Sequence, residues 1–304
     1  MKRKTAREKL VVVAGPTASG KSDLAVELAL RTKRGNAEIL SADSRQVYKG
    51  MNIGTGKITK REMKGIPHLL LDVASPKRVF TVADYQKRAW REIERIWRMN
   101  KIPILCGGTG LYIRAVVDGI VLPEVKPNPA LRKYLEKMPR DKLYALLKKK
   151  DPSRARSIDL KNPHRLVRAL EITEELGRVP PLSFAPLDAD ILFLGIKKET
   201  GELKKLIQVR LKKRLRSGML KEIERLHKNG VSWKRMEEFG LEYRYGARLL
   251  QGKIKREEFE KNLTKEILDY SKRQMTWFKR DPRIHWISDR QEAMKLTQEF
   301  VGKV

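Results

Sequence analysis

The stretch Val11–Ala25, VVVAGPTASGKSDLA, joins a β-branched run to a helical pattern through GxxxxGKS, which spans Gly15 to Ser22 without a mismatch. The valines read as a buried strand, and the glycines permit backbone conformations in which successive N–H groups point inward. Lys21 adds a point charge and the following helix adds the positive end of its dipole. A loop of this kind, here Gly15, Pro16, Thr17, Ala18, Ser19, Gly20, Lys21 and Ser22, holds linked phosphates, with the Ser22 hydroxyl where the motif meets Mg²⁺. By motif alone the ligand is ATP; the rest of the chain decides whose phosphates they are.

Short apolar runs at Leu10–Ala14, Glu38–Ser41, His68–Val73, Ile102–Cys106 and Ile191–Ile196 alternate with helical patterns at Lys21–Arg31, at Val82–Met99 and from Gly110 onward. That alternation predicts an α/β fold, a P-loop NTPase-like parallel sheet flanked by helices. Between Leu122 and Pro186 the pattern is helical, basic, punctuated by prolines and without a strand, which reads as a helical insertion subdomain. The expected organisation is a P-loop core over residues 1–121, a helical insertion over 122–187, and the rest of the core over 188–304. The last part carries long basic helices at Leu203–Asn229 and Glu257–Phe278 and a short strand at Ile284–Ile287.

Lys plus Arg outnumber Asp plus Glu by 68 to 37, a net charge of +31 that exceeds what solubility needs and points to a polyanion, nucleic acid first. The alternative is a solvated, heat-adapted surface. No stretch approaches about 20 apolar residues, which excludes a spanning helix. The basic MKRKTAREKL runs into the first strand without an apolar h-region, so no signal peptide is expected. Cys106, the single cysteine, forms neither an intrachain disulfide nor a Cys-rich zinc site, and a cytoplasmic monomer is expected.

After the second strand, ILSADSRQVYKGMNIGTGK places Asp43, Ser44, Arg45 and Gln46 at the carboxyl end of the sheet, where ligands bind. Asp43 there is either a base or the cap of a turn. ILCGGTGLY brings Gly107, Gly108 and Thr109 to the same edge, and HLLLDVA puts Asp72 where an ATP-using enzyme holds Mg²⁺ through water. An aspartate that simply ends a strand reads equally well.

GPTASGKS, SADSRQVYKGMNIGTGK, IPHLLLDVASPKRVFTVADYQ, PILCGGTGLY, NPHRLVRALEI and KRQMTWFKRDPRIHWI resemble, in order, the successive motifs of bacterial tRNA dimethylallyltransferases, also called tRNA isopentenyltransferases, from about Leu10 to Ile287. The resemblance implies transfer of a dimethylallyl group from dimethylallyl diphosphate to N6 of adenosine 37 beside the tRNA anticodon, with Mg²⁺ and without phosphoryl transfer. It implies Asp43 as the base, Thr109 near the reacting adenine, and Arg214, one of the pair Arg210 and Arg214, at the diphosphate. It also implies tRNA contacts from Asp43, Ser44, Arg45, Gln46 and Thr109, and from His164, Arg165, Leu166, Val167 and Arg168. Trp277, Phe278 and Trp286 read as core rather than base-stacking residues. FGLEYRYGARLLQG departs from the glycine–tyrosine–lysine pattern of many members and leaves the roles of Glu242 and Tyr243 open. Three other readings stand beside this one: a prenyltransferase for free adenine nucleotides, a P-loop small-molecule kinase, and an RNA-binding P-loop module without chemistry.

Overall fold

In the computed structural model of the chain, which describes residues 7–32, 36–160 and 162–302, the alternation of β1 (Lys9–Ala14) serves two cores at once. Leu10, Val12 and Ala14 join the cluster on one face of a sheet, Val11 and Val13 the cluster on the other. All five are essentially inaccessible to water, and full burial of each valine or leucine contributes about 1.5–3 kcal/mol. A strand this apolar on both faces belongs at the centre of a parallel sheet. The chain continues through α1 (Lys21–Arg31), β2 (Ala37–Ser41), α2 (Lys60–Met63), β3 (His68–Leu69), α3 (Val82–Arg98), β4 (Ile102–Gly107) and α4 (Gly110–Val117). A separate segment then carries β5 (Ile120–Val121), α5 (Pro129–Leu135), α6 (Arg140–Lys150), α7 (Pro152–Ser157), α8 (Pro163–Leu176) and β6 (Ser183–Phe184). The sheet resumes with β7 (Asp190–Ile196), then α9 (Thr200–Arg216), α10 (Met219–Lys228), α11 (Trp233–Phe239), α12 (Leu241–Leu250), α13 (Arg256–Phe278), β8 (Ile284–Ile287) and α14 (Arg290–Val301).

Two compact units result, one joining the residues up to Asp118 with those from Pro186 onward, the other spanning Gly119–Ala185. In the first, six parallel strands lie in the order β3-β2-β4-β1-β7-β8. Ala14 pairs with Gly107 and Ser41 with Cys106, so the loops after β1, β2 and β4 leave the sheet at one level. Phe278 is buried in the core, and Trp277 and Trp286 are partly buried against it.

Two features of the core differ from the expected ones. The strand expected over His68–Val73 ends at Leu69, because Leu70 and Asp72 take left-handed conformations with φ of 63° and 56°. The helix expected over Leu203–Asn229 breaks at Gly218, whose φ of 94° suits glycine and turns the chain between α9 and α10.

The second unit explains its own prolines. Pro129, Pro152 and Pro163 open α5, α7 and α8, preceded by Asn128, Asp151 and Asn162, whose side chains each accept an N–H of the first turn. Leu135, Leu143, Leu147, Leu166, Val167 and Leu170 form its core. It is not strand-free: β5 and β6 pair antiparallel, two residues each, too short for a sequence period to show. No helix among the described residues is long and apolar enough to cross a membrane.

Candidate functional site

The phosphate loop follows β1 and ends at the N-terminus of α1, where Gly20 has φ 89°. Lys21 Nζ donates to the Pro16 carbonyl (2.6 Å), which curls the lysine over the loop. Burial pushes this ammonium down to about 8, with Arg210 lowering it further and Cys106 and Asp43 acting the other way. Ser19 Oγ is buried with no hydrogen-bond partner, and Thr17 N–H donates to Gln274 Oε1 (2.8 Å). An orphaned hydroxyl beside a lysine destabilised by burial is the arrangement of a loop awaiting an anion.

The loop after β2 crosses close to the loop after β4. Ala42 N–H donates to the Cys106 carbonyl and Thr109 N–H to the Ala42 carbonyl, and a Cβ on Gly107 would lie 2.1 Å from the Ala42 oxygen. Only glycine allows that approach. Asp43 Oδ1 accepts the N–H groups of Arg45 (2.8 Å) and Gln46 (3.3 Å), so the aspartate does order a turn. Its Oδ2 has no hydrogen-bond partner among the described residues. Thr109 Oγ1 accepts Ser44 N–H (3.0 Å) and thereby holds the Asp43 loop. Tyr270 stands beside it; burial pushes its phenol up to about 12, with Asp43 adding to the effect and Arg45 opposing it.

Two cavities open onto these loops. The larger, about 470 Å³, is lined by the phosphate loop from Thr17 to Ser22 and by Asp43, Gln46, Glu202 and Arg210 among others. The smaller, about 250 Å³, is lined by Asp43, Arg45, Glu242, Arg244, Tyr270 and Arg273 among others. Both share Thr17, Lys21, Asp43, Thr55 and Gly108, so they meet where the lysine and the aspartate stand.

Arg210 and Arg214, four apart on α9, divide between them. Arg210 faces the phosphate-loop cavity with no hydrogen bond or ion pair among the described residues. Burial, and then repulsion from Arg214, push its guanidinium down to about 10. Arg214 instead lines the smaller cavity, pairs with Glu242 and donates to the Gly54 carbonyl (3.0 Å). Arg214, which the resemblance puts at the diphosphate, thus fastens the 52–57 loop, while Arg210 is the one of the pair that lines the phosphate-loop cavity. Glu222 holds the same loop from behind, accepting three successive N–H groups from Asn52, Ile53 and Gly54 at 2.9, 2.7 and 3.0 Å and the Tyr243 hydroxyl at 2.8 Å. Glu242 and Tyr243, left open in the sequence, are thus supports of this loop.

The sequence leaves Asp72 open between a Mg²⁺ role and a strand end. With β3 ending early, its carboxylate turns to Lys57 (2.7 Å) and lines neither cavity. Of the segment that the resemblance assigns to tRNA, Leu166 and Val167 are buried in the core of the second unit, while His164 and Arg165 are exposed and Arg168 is half-buried. Arg165 lies 3.7 Å from Asp159, while Arg168 donates to the Val125 carbonyl (2.9 Å) and lies 3.6 Å from the buried Glu171.

Among the described residues no group of three or more His, Cys, Asp or Glu is placed to hold a metal. A Mg²⁺ ion bound mainly through ligand phosphates, with the Ser22 hydroxyl as a protein partner, fits a cavity of this composition. Glu222 and Gln274 escaped the sequence reading because each acts on residues far away in the chain.

Residues 46–281 match the family described as IPP transferase. The chain is 42% identical over 282 residues to tRNA dimethylallyltransferase 1 of Geotalea daltonii, covering 91% of this chain and 90% of that one. It is 43% identical over 296 residues to tRNA dimethylallyltransferase 1 of Syntrophus aciditrophicus, covering 94% and 96%. Among solved structures it resembles the full-length tRNA isopentenylpyrophosphate transferase of Bacillus halodurans, with TM-score 0.72, 33% identity and coverage of 97% and 96%. A eukaryotic dimethylallyltransferase acting on tRNA superimposes with TM-score 0.76 and 28% identity over 89% of this chain and 70% of its own.

Proposed function

The chain belongs to the IPP transferase family, and from that premise we propose that it is a tRNA dimethylallyltransferase, moving the dimethylallyl group of dimethylallyl diphosphate onto N6 of adenosine 37 beside the anticodon. The observation that carries this reading is the meeting of two cavities at Lys21 and Asp43. The diphosphate lies in the larger, against the loop N–H groups, Ser19, Lys21 and Arg210. The adenine, flipped out of the anticodon loop at a cost of a few kilocalories per mole, enters through the smaller.

The N6 lone pair attacks C1 of the prenyl group, the C1–O bond breaks with its electron pair going to the diphosphate, and Asp43 Oδ2 takes the N6 proton as the N–C bond forms. Lys21 and Arg210 stabilise the charge growing on the leaving group. Mg²⁺, when bound at Ser22, neutralises further diphosphate charge. Thr109 keeps Asp43 in place, and Ser44, Arg45 and Gln46 line the approach of the base. His164, Arg165 and Arg168 serve RNA phosphates from the second unit. Lys21, Asp43 and Arg210 all come from one chain, which suits a monomer working in the cytoplasm alongside its tRNA. A kinase reading loses its support with Asp72, which is engaged by Lys57.

The test is to incubate the protein with Mg²⁺, dimethylallyl diphosphate and unmodified tRNA and to map any mass gain by nuclease digestion. A single prenylated adenosine beside the anticodon is expected. Modification of free AMP but not tRNA, or consumption of ATP, would overturn the reading.

A further inference from the structure

One face of α13 reaches all the way across the loops of the site. Gln274 is buried, 7% exposed, and makes two bonds of opposite sense: its Oε1 accepts Thr17 N–H of the phosphate loop at 2.8 Å, and its Nε2 donates to the Gly108 carbonyl at 2.8 Å. Thr17 and Gly108 both stand where the two cavities meet. One turn earlier Tyr270 lines the smaller cavity, and one turn later Trp277 packs on Gly110 so closely that a Cβ there would lie 2.2 Å from the indole. Gly108 is under the same constraint, since a Cβ would lie 2.2 Å from Gln274 Nε2.

The amide is suited to bridge this way, with its acceptor and its donors on separate atoms. A primary amide offers both an acceptor and donors, whereas a carboxylate only accepts and an ammonium only donates. Without it, one loop loses a partner for a part-buried N–H and the other for a carbonyl. The diphosphate loop and the loop leading to Thr109, which in turn holds the Asp43 loop, are otherwise separate turns at the ends of different strands.

We infer that Gln274 is a positioning residue that clamps the phosphate loop to the Gly108–Thr109 loop and so fixes the distance between the bound diphosphate and the Asp43 carboxylate. This rests on the proposed transfer reaction and says which residue sets its geometry. Gln274 lines the smaller cavity, but both ends of its amide are committed to the two loops. Its effect falls on the rate of the assembled complex, because a displacement of about 1 Å between reacting groups costs about 100-fold.

The experiment pairs hydrogen exchange with single-turnover kinetics. In the substrate-free parent protein, the Thr17 amide is expected to be protected, and fast exchange there would overturn the clamp whatever the activity of the protein. Gln274→Met removes both bonds at similar volume; Gln274→Glu keeps the acceptor for Thr17 but sets a carboxylate against the Gly108 oxygen. Both variants should lose about 100-fold in single-turnover rate at saturating dimethylallyl diphosphate and tRNA, with the dissociation constant of each substrate changed by about threefold or less. Thr17 should lose protection in Gln274→Met and retain it in Gln274→Glu. A parent rate in either variant, or a loss appearing wholly as weaker diphosphate binding, would overturn the inference. A protected Thr17 in a parent protein that transfers no prenyl group would overturn the transfer reading and leave the clamp standing.

Discussion

Arg210→Met should make the protein more stable and nearly inactive. The guanidinium is partly buried, makes no ion pair among the described residues and stands near Lys21 and Arg214; the repulsion from Arg214 is larger than the pull of Glu242, Asp23 or Asp43 taken singly. Its depression from 12.5 to about 10 corresponds to roughly 3 kcal/mol for holding the charge in the folded chain, and water in the cavity reduces that to about 1–2 kcal/mol. The sign follows from the direction: the folded protein holds this proton less tightly than the unfolded chain, so the charge is a penalty at every pH below about 10. Methionine keeps the aliphatic contacts of the side chain and removes the penalty. Loss of a cation aimed at the leaving group should cost on the order of 10²–10³ in rate. Thermal unfolding, with and without inorganic pyrophosphate, reads both effects. The variant should melt about 2–4 °C higher than the parent when free, and pyrophosphate should stabilise it far less. An Arg210→Met protein that melts lower and keeps its rate would refute the reasoning and return Arg210 to the solvated face of a basic helix.

Lys21 is pushed down to about 8 by burial, so it loses its proton as the pH rises through that value. Pyrophosphate affinity should fall above pH 8 and titration calorimetry near pH 8 should show proton uptake on binding; pH-independent affinity from 7 to 9 would contradict this. Glu222→Gln halves the capacity to accept the N–H groups of Asn52, Ile53 and Gly54 and should cost about 2–4 kcal/mol in urea unfolding, against near-zero if the loop rearranges freely. In the second unit, Arg165→Ala should weaken tRNA binding and lower its salt slope by about one with stability unchanged. Arg168→Ala should also destabilise the fold, because Arg168 is tied to Val125 and Glu171.

What the sequence made legible is what local pattern encodes. The phosphate loop, its strand and its helix lie within a few turns of chain, and the β2 and β4 loops follow apolar runs directly. Asp43 was readable as a site residue on that basis, although its two roles, turn cap and free oxygen, separate only by atom. The early end of β3 was hidden because HLLLDV is as apolar as a strand while Leu70 and Asp72 turn left-handed. Arg210 and Arg214 share a helical face, offset by about 40° at 3.6 residues per turn. Which of them faces the phosphates depends on how α9 is rotated against Glu242 and Gly54, contacts 28 and 160 residues away in the chain. Gln274 and Glu222 reach across separations of 257 and 168 residues and sit in helices whose composition gives no hint of them.

The central claim is that Asp43 takes the proton of an adenine amine while diphosphate departs from the far side of the prenyl carbon, and Asp43→Asn tests it most directly. The substitution preserves Oδ1 as the cap for Arg45 and Gln46 and removes the basicity of Oδ2. The measurement is the single-turnover rate of prenyl transfer to tRNA, taken with the tRNA dissociation constant. The account predicts a loss of about 10²–10⁴ in rate with tRNA affinity within about threefold of the parent, since phosphate contacts carry that affinity. Transfer at the parent rate, or a fall in activity matched by an equal loss of tRNA binding, would contradict it.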